Sequence, residues 1–183
     1  MKKLLIFILL IFSLTIVNSQ ENDGILYHAE KEILFTPLET PDIIIVNVIG
    51  DNYIDATYEI LIINIPDDTL YVYDGEILGN LFMDKPEAGQ LSSDELERTV
   101  KSFADGITTH SIVRFTNDLP EYLEPQEYYE QYYEEIAVNK EKYNELRKNK
   151  YPILRHQTYY EGYTEIYYDP ELKKVTTLLN GGT

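Results

Sequence analysis

The chain has 183 residues, 32 acidic against 15 basic side chains, and a formal charge of −17. A surface of that sign repels phosphate backbones and anionic lipid, which argues against nucleic-acid and acidic-membrane binding. There is no cysteine, so disulfides and a cysteine nucleophile are excluded and an exported chain must hold by its core alone.

Met1–Ser19 reads as a secretory signal peptide. Lys2-Lys3 precedes an apolar run, Leu4–Val17, broken only by Ser13 and Thr15, and Val17-Asn18-Ser19 places compact residues at the cleavage positions. Cleavage is expected before Gln20. The run is shorter than the roughly 20 apolar residues of a membrane span, and an uncleaved leader acting as a tether is the alternative. Removing nineteen residues from 183 leaves a single domain of 164, residues 20–183, and losing Lys2 and Lys3 takes the charge from −17 to −19. None of the eleven asparagines begins an Asn-x-Ser/Thr acceptor. That favours a bacterial periplasm or exterior over a eukaryotic secretory route.

The first half reads as strands: Ile25–Phe35, Asp42–Ile49 and Ala56–Ile65, with Pro66-Asp67-Asp68 as a turn. The run DIIIVNVI at 42–49 is so rich in β-branched residues that it predicts a strand covered on both faces. Thr69–Tyr73 and Glu76–Phe82 flank Asp74-Gly75, a strong hairpin signal. Ser92 and Glu95 sit at capping-box spacing ahead of Leu96, Val100, Phe103 and Ile107, which predicts a helix over about 93–105 stopped by Gly106. Thr108–Thr116 reads as a strand and Asn117–Pro125 as a loop. A long helix is predicted over about 126–150, with Pro125 at its start and a stripe of Tyr129, Tyr132, Tyr133, Ile136, Tyr143 and Leu146. Three closing strands, Ile153–Tyr160, Tyr163–Tyr168 and Lys173–Leu179, form a β-meander. The expected class is α+β: a mainly antiparallel sheet, two helices and the meander, in one domain.

Tyrosine is the compositional outlier, and twelve of the 17 lie between Tyr122 and Tyr168. In Tyr159-Tyr160 and Tyr167-Tyr168, strand neighbours point to opposite faces, so both are buried only if both faces are covered. Otherwise Tyr159 and Tyr167 belong to a contact surface, for which a large ring and a hydroxyl are well suited. At the expected hairpin, Tyr71 and Tyr73 share one face opposite Leu70 and Val72. With Leu70 and Val72 toward the core, the tyrosines face out beside Asp74 and Glu76, and this tip is the candidate recognition edge.

No catalytic residue, cofactor or metal site is assigned. Asn22-Asp23-Gly24, Asp51-Asn52 and Asp67-Asp68 are only fragments of a calcium loop. His28, His110 and His156 lack ligand spacing, and no serine elbow, phosphate loop or dinucleotide fingerprint occurs. Arg114 and Arg155-His156 are the cations of note, with ion pairing to nearby carboxylates as their expected role. The expected function is an exported acidic protein-binding module, inhibitor- or immunity-like, against a basic partner. The alternative is a small secreted hydrolase or carbohydrate-binding domain using tyrosine faces and a carboxylate pair.

Overall fold

In Asp42–Ile49, every second side chain is withdrawn from solvent: Ile44, Val46 and Val48 are fully buried, while Ile43, Ile45, Asn47 and Ile49 are half-buried. This strand therefore has one covered face among the described residues, not two. A computed structural model describes residues 24–38, 40–64, 68–109, 114–115 and 136–182, with only the backbone at 114–115. The leader, Pro66-Asp67, His110, the Asn117–Pro125 loop and the tyrosines at 128–133 lie outside the described residues.

The chain order is β1 (Ile25–Ile33), β2 (Asp42–Ile49), β3 (Thr57–Asn64), β4 (Asp68–Glu76), a kinked turn α1 (Ile77–Asn80), α2 (Lys85–Ala88), α3 (Ser93–Thr109), β5 (Arg114–Phe115), α4 (Lys140–Lys148), β6 (Pro152–Tyr159), β7 (Gly162–Asp169) and β8 (Lys174–Gly181). The protein is α+β. Its strands form two four-stranded antiparallel sheets, β1-β2-β3-β4 and β5-β6-β7-β8, where the sequence suggested one.

The inner face of the first sheet is shared. Helix α3 packs on β1 and β2, with Val100, Ala104 and Ile107 buried among Ile44, Val46, Tyr58, Ile60 and Ile62. Leu154 of β6 and Ile166 of β7 join the same core. Tyr143 and Leu146 of α4 pack on the other side of the second sheet with Ile153, Tyr167, Leu178 and Leu179. Strand β7 is thus covered on both faces, which is why it buries six of its eight residues.

Three further sequence expectations are corrected. The chain does not reverse at Asp74-Gly75; β4 runs straight through to Glu76. Reversal comes at Leu78-Gly79, whose angles (φ −67°, ψ 136° and φ 87°, ψ −17°) are those of a type II turn that requires glycine at the second position. Helix α3 passes Gly106 and ends at Thr109, so Thr108 and Thr109 are helical rather than the start of a strand. The hydroxyls of Thr108 and Thr109 donate to the Asp105 carbonyl and hold that last turn. Finally, residues 136–139 are not helical: Ile136 bridges Leu179, Ala137 N–H donates to Leu178 O, and Asn139 caps a shorter helix by accepting from Lys142 N–H at 2.9 Å. Capping by asparagine and edge pairing to β8 outweigh the helical periodicity there.

Two predictions follow from local geometry. Asp42 is fully buried and accepts from Phe35 N–H, Thr36 N–H and the Thr36 hydroxyl at 3.1, 2.7 and 3.1 Å. Asp42→Ala strands those donors and is expected to cost about 3 kcal/mol in urea unfolding, with Asp42→Asn costing less because one acceptor survives. Gly106 is helical, without positive φ, and a Cβ there would meet nothing within 4 Å. Gly106→Ala is expected to stabilise by about 0.5–1 kcal/mol, read as a raised melting temperature.

Candidate functional site

Strand β4 separates two sets of side chains. Its register places Tyr71, Tyr73 and Gly75 opposite Ile62, Ile60 and Tyr58, all inner-face residues, and Val72, Asp74 and Glu76 opposite Leu61, Glu59 and Thr57. The sense is the reverse of the sequence expectation for the tyrosines. Val72 is 52% exposed, while Tyr71 and Tyr73 turn inward to the second sheet. A bulge at Ile62/Ile63 lets Leu70 also pack inward.

The tyrosines close the seam between the sheets. Tyr73 donates to Thr158 O at 3.0 Å, and Tyr58 lies 3.0 Å from Gln157 O and 3.1 Å from Asn80 Oδ1. Phenol hydroxyls of the first sheet thus pair with backbone carbonyls of the second. Tyr71 hydroxyl is 2.7 Å from His156 Nε2, and His156 Nδ1 is 3.0 Å from Gln157 O. A carbonyl can only accept, so Nδ1 carries the proton and Nε2 accepts from Tyr71. His156 is 1% exposed, lies 4.6 Å from the Tyr73 ring centroid, and its pKa is lowered by burial. Burial also raises the Tyr58, Tyr71 and Tyr73 phenols. This cluster is a neutral, protonated-phenol seam that holds two sheets together.

The remaining sequence candidates divide. Tyr167 is 2% exposed in the α4 core, with burial first among the causes that push its phenol up to about 12. Tyr168 packs on the opposite core. Tyr159 is 48% exposed and its ring lies across Gly162. Arg155 forms an ion pair with Glu165 across β6 and β7, Nε to Oε1 at 2.8 Å, and its guanidinium lies 4.0 Å from the Tyr163 ring centroid. Asp74 and Glu76 remain exposed on the outer side. Neither has a cation or side-chain hydrogen-bond partner among the described residues. With Tyr73, Leu78, Asn80 and Thr158 they line a shallow groove of about 450 Å³.

Beside that groove lies a row the sequence did not reveal. His28 Nδ1 is 2.8 Å from Asn47 Oδ1, and Asn47 Nδ2 donates to Glu59 Oε2 at 3.2 Å. Asp74 is the register partner of Glu59, so the row crosses four strands and ends in two carboxylates. Only strand register aligns these residues; no spacing in the chain signals them. Among the described residues, no three His, Asp or Glu side chains gather as a metal-binding set, and no helix is long and apolar enough to cross a membrane. Family models, curated proteins and solved structures give no match to this chain.

Proposed function

We propose that this protein is an exported, acidic protein-binding module, inhibitor- or immunity-like, whose partner is basic. The observation that carries the reading is the set Glu59, Asp74 and Glu76: carboxylates on neighbouring strands of one face, beside a groove, the last two with no cation among the described residues. Such charges steer a basic partner and speed its arrival, while a rim of this kind adds specificity more than raw affinity. The leader at Met1–Ser19 supports an exported setting, and the formal charge of −17 supports a cationic partner. The groove also bears on the alternative of a sugar-binding or hydrolytic site. There, however, the Tyr73 ring packs against His156 and its hydroxyl is given to Thr158 O, which leaves a poor stacking platform for a sugar.

The test is affinity capture on immobilised residues 20–183 at low and high salt, with an Asp74→Asn/Glu76→Gln double variant in parallel. The expected result is one stoichiometric basic protein, released by salt and at least about tenfold depleted on the variant, since each 1.4 kcal/mol is tenfold in affinity. Background binding alone, or a partner indifferent to salt and to the variant, refutes the reading. A glycan retained in place of a protein would favour the alternative.

A further inference from the structure

The outer face of the first sheet carries more than carboxylates. Ile43, Ile45 and Ile49 of β2 and Leu61 and Ile63 of β3 are half-buried, and Val72 of β4 is exposed. Among the described residues, none of the six belongs to either buried core or packs against it. Register makes five of them one surface: Ile43 opposes Ile63, Ile45 opposes Leu61, and Leu61 opposes Val72. Ile49 stands apart from them, beyond the His28–Asn47–Glu59–Asp74 row that crosses the sheet between it and Ile45.

The rim is acidic apart from His28, whose Nε2 lies 3.4 Å from Glu30 Oε2. Glu30 and Glu32 of β1 stand opposite Ile45 and Ile43, and Glu59, Asp74 and Glu76 close the other end. Lys31 pairs with Ile44, an inner-face residue, so on these four strands no lysine or arginine shares the outer face. That charge pattern selects the occupant. A second copy would bring its own carboxylates against these, and anionic lipid would be repelled likewise. An apolar strip bounded by acids is complementary to a segment with an apolar face and flanking lysines or arginines.

We infer that the outer face of β2–β4 is the docking surface, and that what docks is a cationic amphipathic segment of the partner protein. Its aliphatic side chains cover Ile45, Leu61 and Val72, and its cations meet Glu30, Glu32, Glu59, Asp74 and Glu76. The inference rests on the basic-partner reading above and adds to it the face and the chemistry of the bound segment.

The test uses three labelled peptides of equal length: alternating Leu/Lys, alternating Leu/Glu, and alternating Ser/Lys. Fluorescence anisotropy is read with the wild type and with Val72→Lys and Leu61→Thr, whose folding is checked by circular dichroism. Val72 is half in solvent at a sheet edge, so Val72→Lys is tolerated structurally. The Leu/Lys peptide is expected to bind, Ser/Lys about tenfold more weakly, and Leu/Glu not at all; each variant weakens Leu/Lys about tenfold. If Ser/Lys matches Leu/Lys, or the variants bind as the wild type does, the face is wrong while the basic-partner reading stands. If neither cationic peptide binds, both fail. If sedimentation shows a wild-type dimer that Val72→Lys disperses, the occupant is a second copy and the inference is overturned.

Discussion

Tyr58→Ala is expected to cost about 4 kcal/mol in urea unfolding, the range for deleting a large buried aromatic. Tyr58 is fully buried in β3, and its ring meets Phe103 of α3 edge-on at 5.1 Å between centroids. Its hydroxyl reaches Gln157 O and Asn80 Oδ1, and Asn80 is itself held by Nδ2 donating to Glu76 O at 2.8 Å. Removing the side chain opens a cavity and takes the hydroxyl away from Asn80 Oδ1 and from Gln157 O, which then keeps His156 Nδ1–H. Tyr58→Phe keeps the ring and is expected to lose only about 1–2 kcal/mol. The ring needs Gly75 opposite it, because a Cβ there would lie 2.6 Å from two ring carbons. Gly75→Ala should therefore destabilise the wild type, and much less so the Tyr58→Ala protein, a coupling that a double-mutant cycle measures. A Tyr58→Ala cost below about 1 kcal/mol, or strictly additive effects, would show that the seam is not packed as described.

Acidification is expected to weaken the same seam through His156. Its pKa is lowered in the folded state, first by burial, so the unfolded chain binds the proton more readily. Stability from this group is complete above the unfolded histidine pKa of about 6.5. It is lost as the pH falls from there toward the folded value, with a slope of at most about 1.4 kcal/mol per pH unit. Protonation also removes the lone pair on Nε2 that accepts from Tyr71. His156→Gln retains an acceptor without titrating in that range, and its stability should fall less steeply between neutral pH and about pH 5. Parallel curves for wild type and variant would place the titrating group elsewhere, since the other histidines are common to both.

Much of the fold was legible from periodicity. Strand β2 was placed at its observed limits, and the capping box at Ser92 and Glu95 marks the start of α3 as expected: Ser92 N–H and Oγ both donate to Glu95 Oε2. What failed depended on pairing across the chain. Asp74-Gly75 has the composition of a turn, yet Gly75 is there to make room for a ring from β3. The same device recurs where the rings of Tyr159 and Tyr163 lie across Gly162 and Gly181 on the adjacent strands. Much of the tyrosine of β3, β6 and β7 is thus packing material, a role that composition cannot separate from recognition. The outward direction of Tyr71 and Tyr73 was inferred from parity alone. Parity identifies which residues share a face, but it leaves open which face is buried. The outer-face stripe was hidden for a related reason: DIIIVNVI looks equally apolar on both sides, and only the alternating burial distinguishes them.

The most direct measurement is a methyl footprint. Isoleucine, leucine and valine methyls are isotopically labelled, and their NMR shifts are followed as the captured partner, or the Leu/Lys peptide, is added. The expected result is movement of Ile45, Leu61, Ile63 and Val72 on the outer face, with Ile44, Val46, Ile60 and Ile62 on the inner face unmoved. Binding that leaves the outer set unmoved, with shifts instead at Leu26, Leu91 and Leu96 around the apolar recess beside α3, would contradict it.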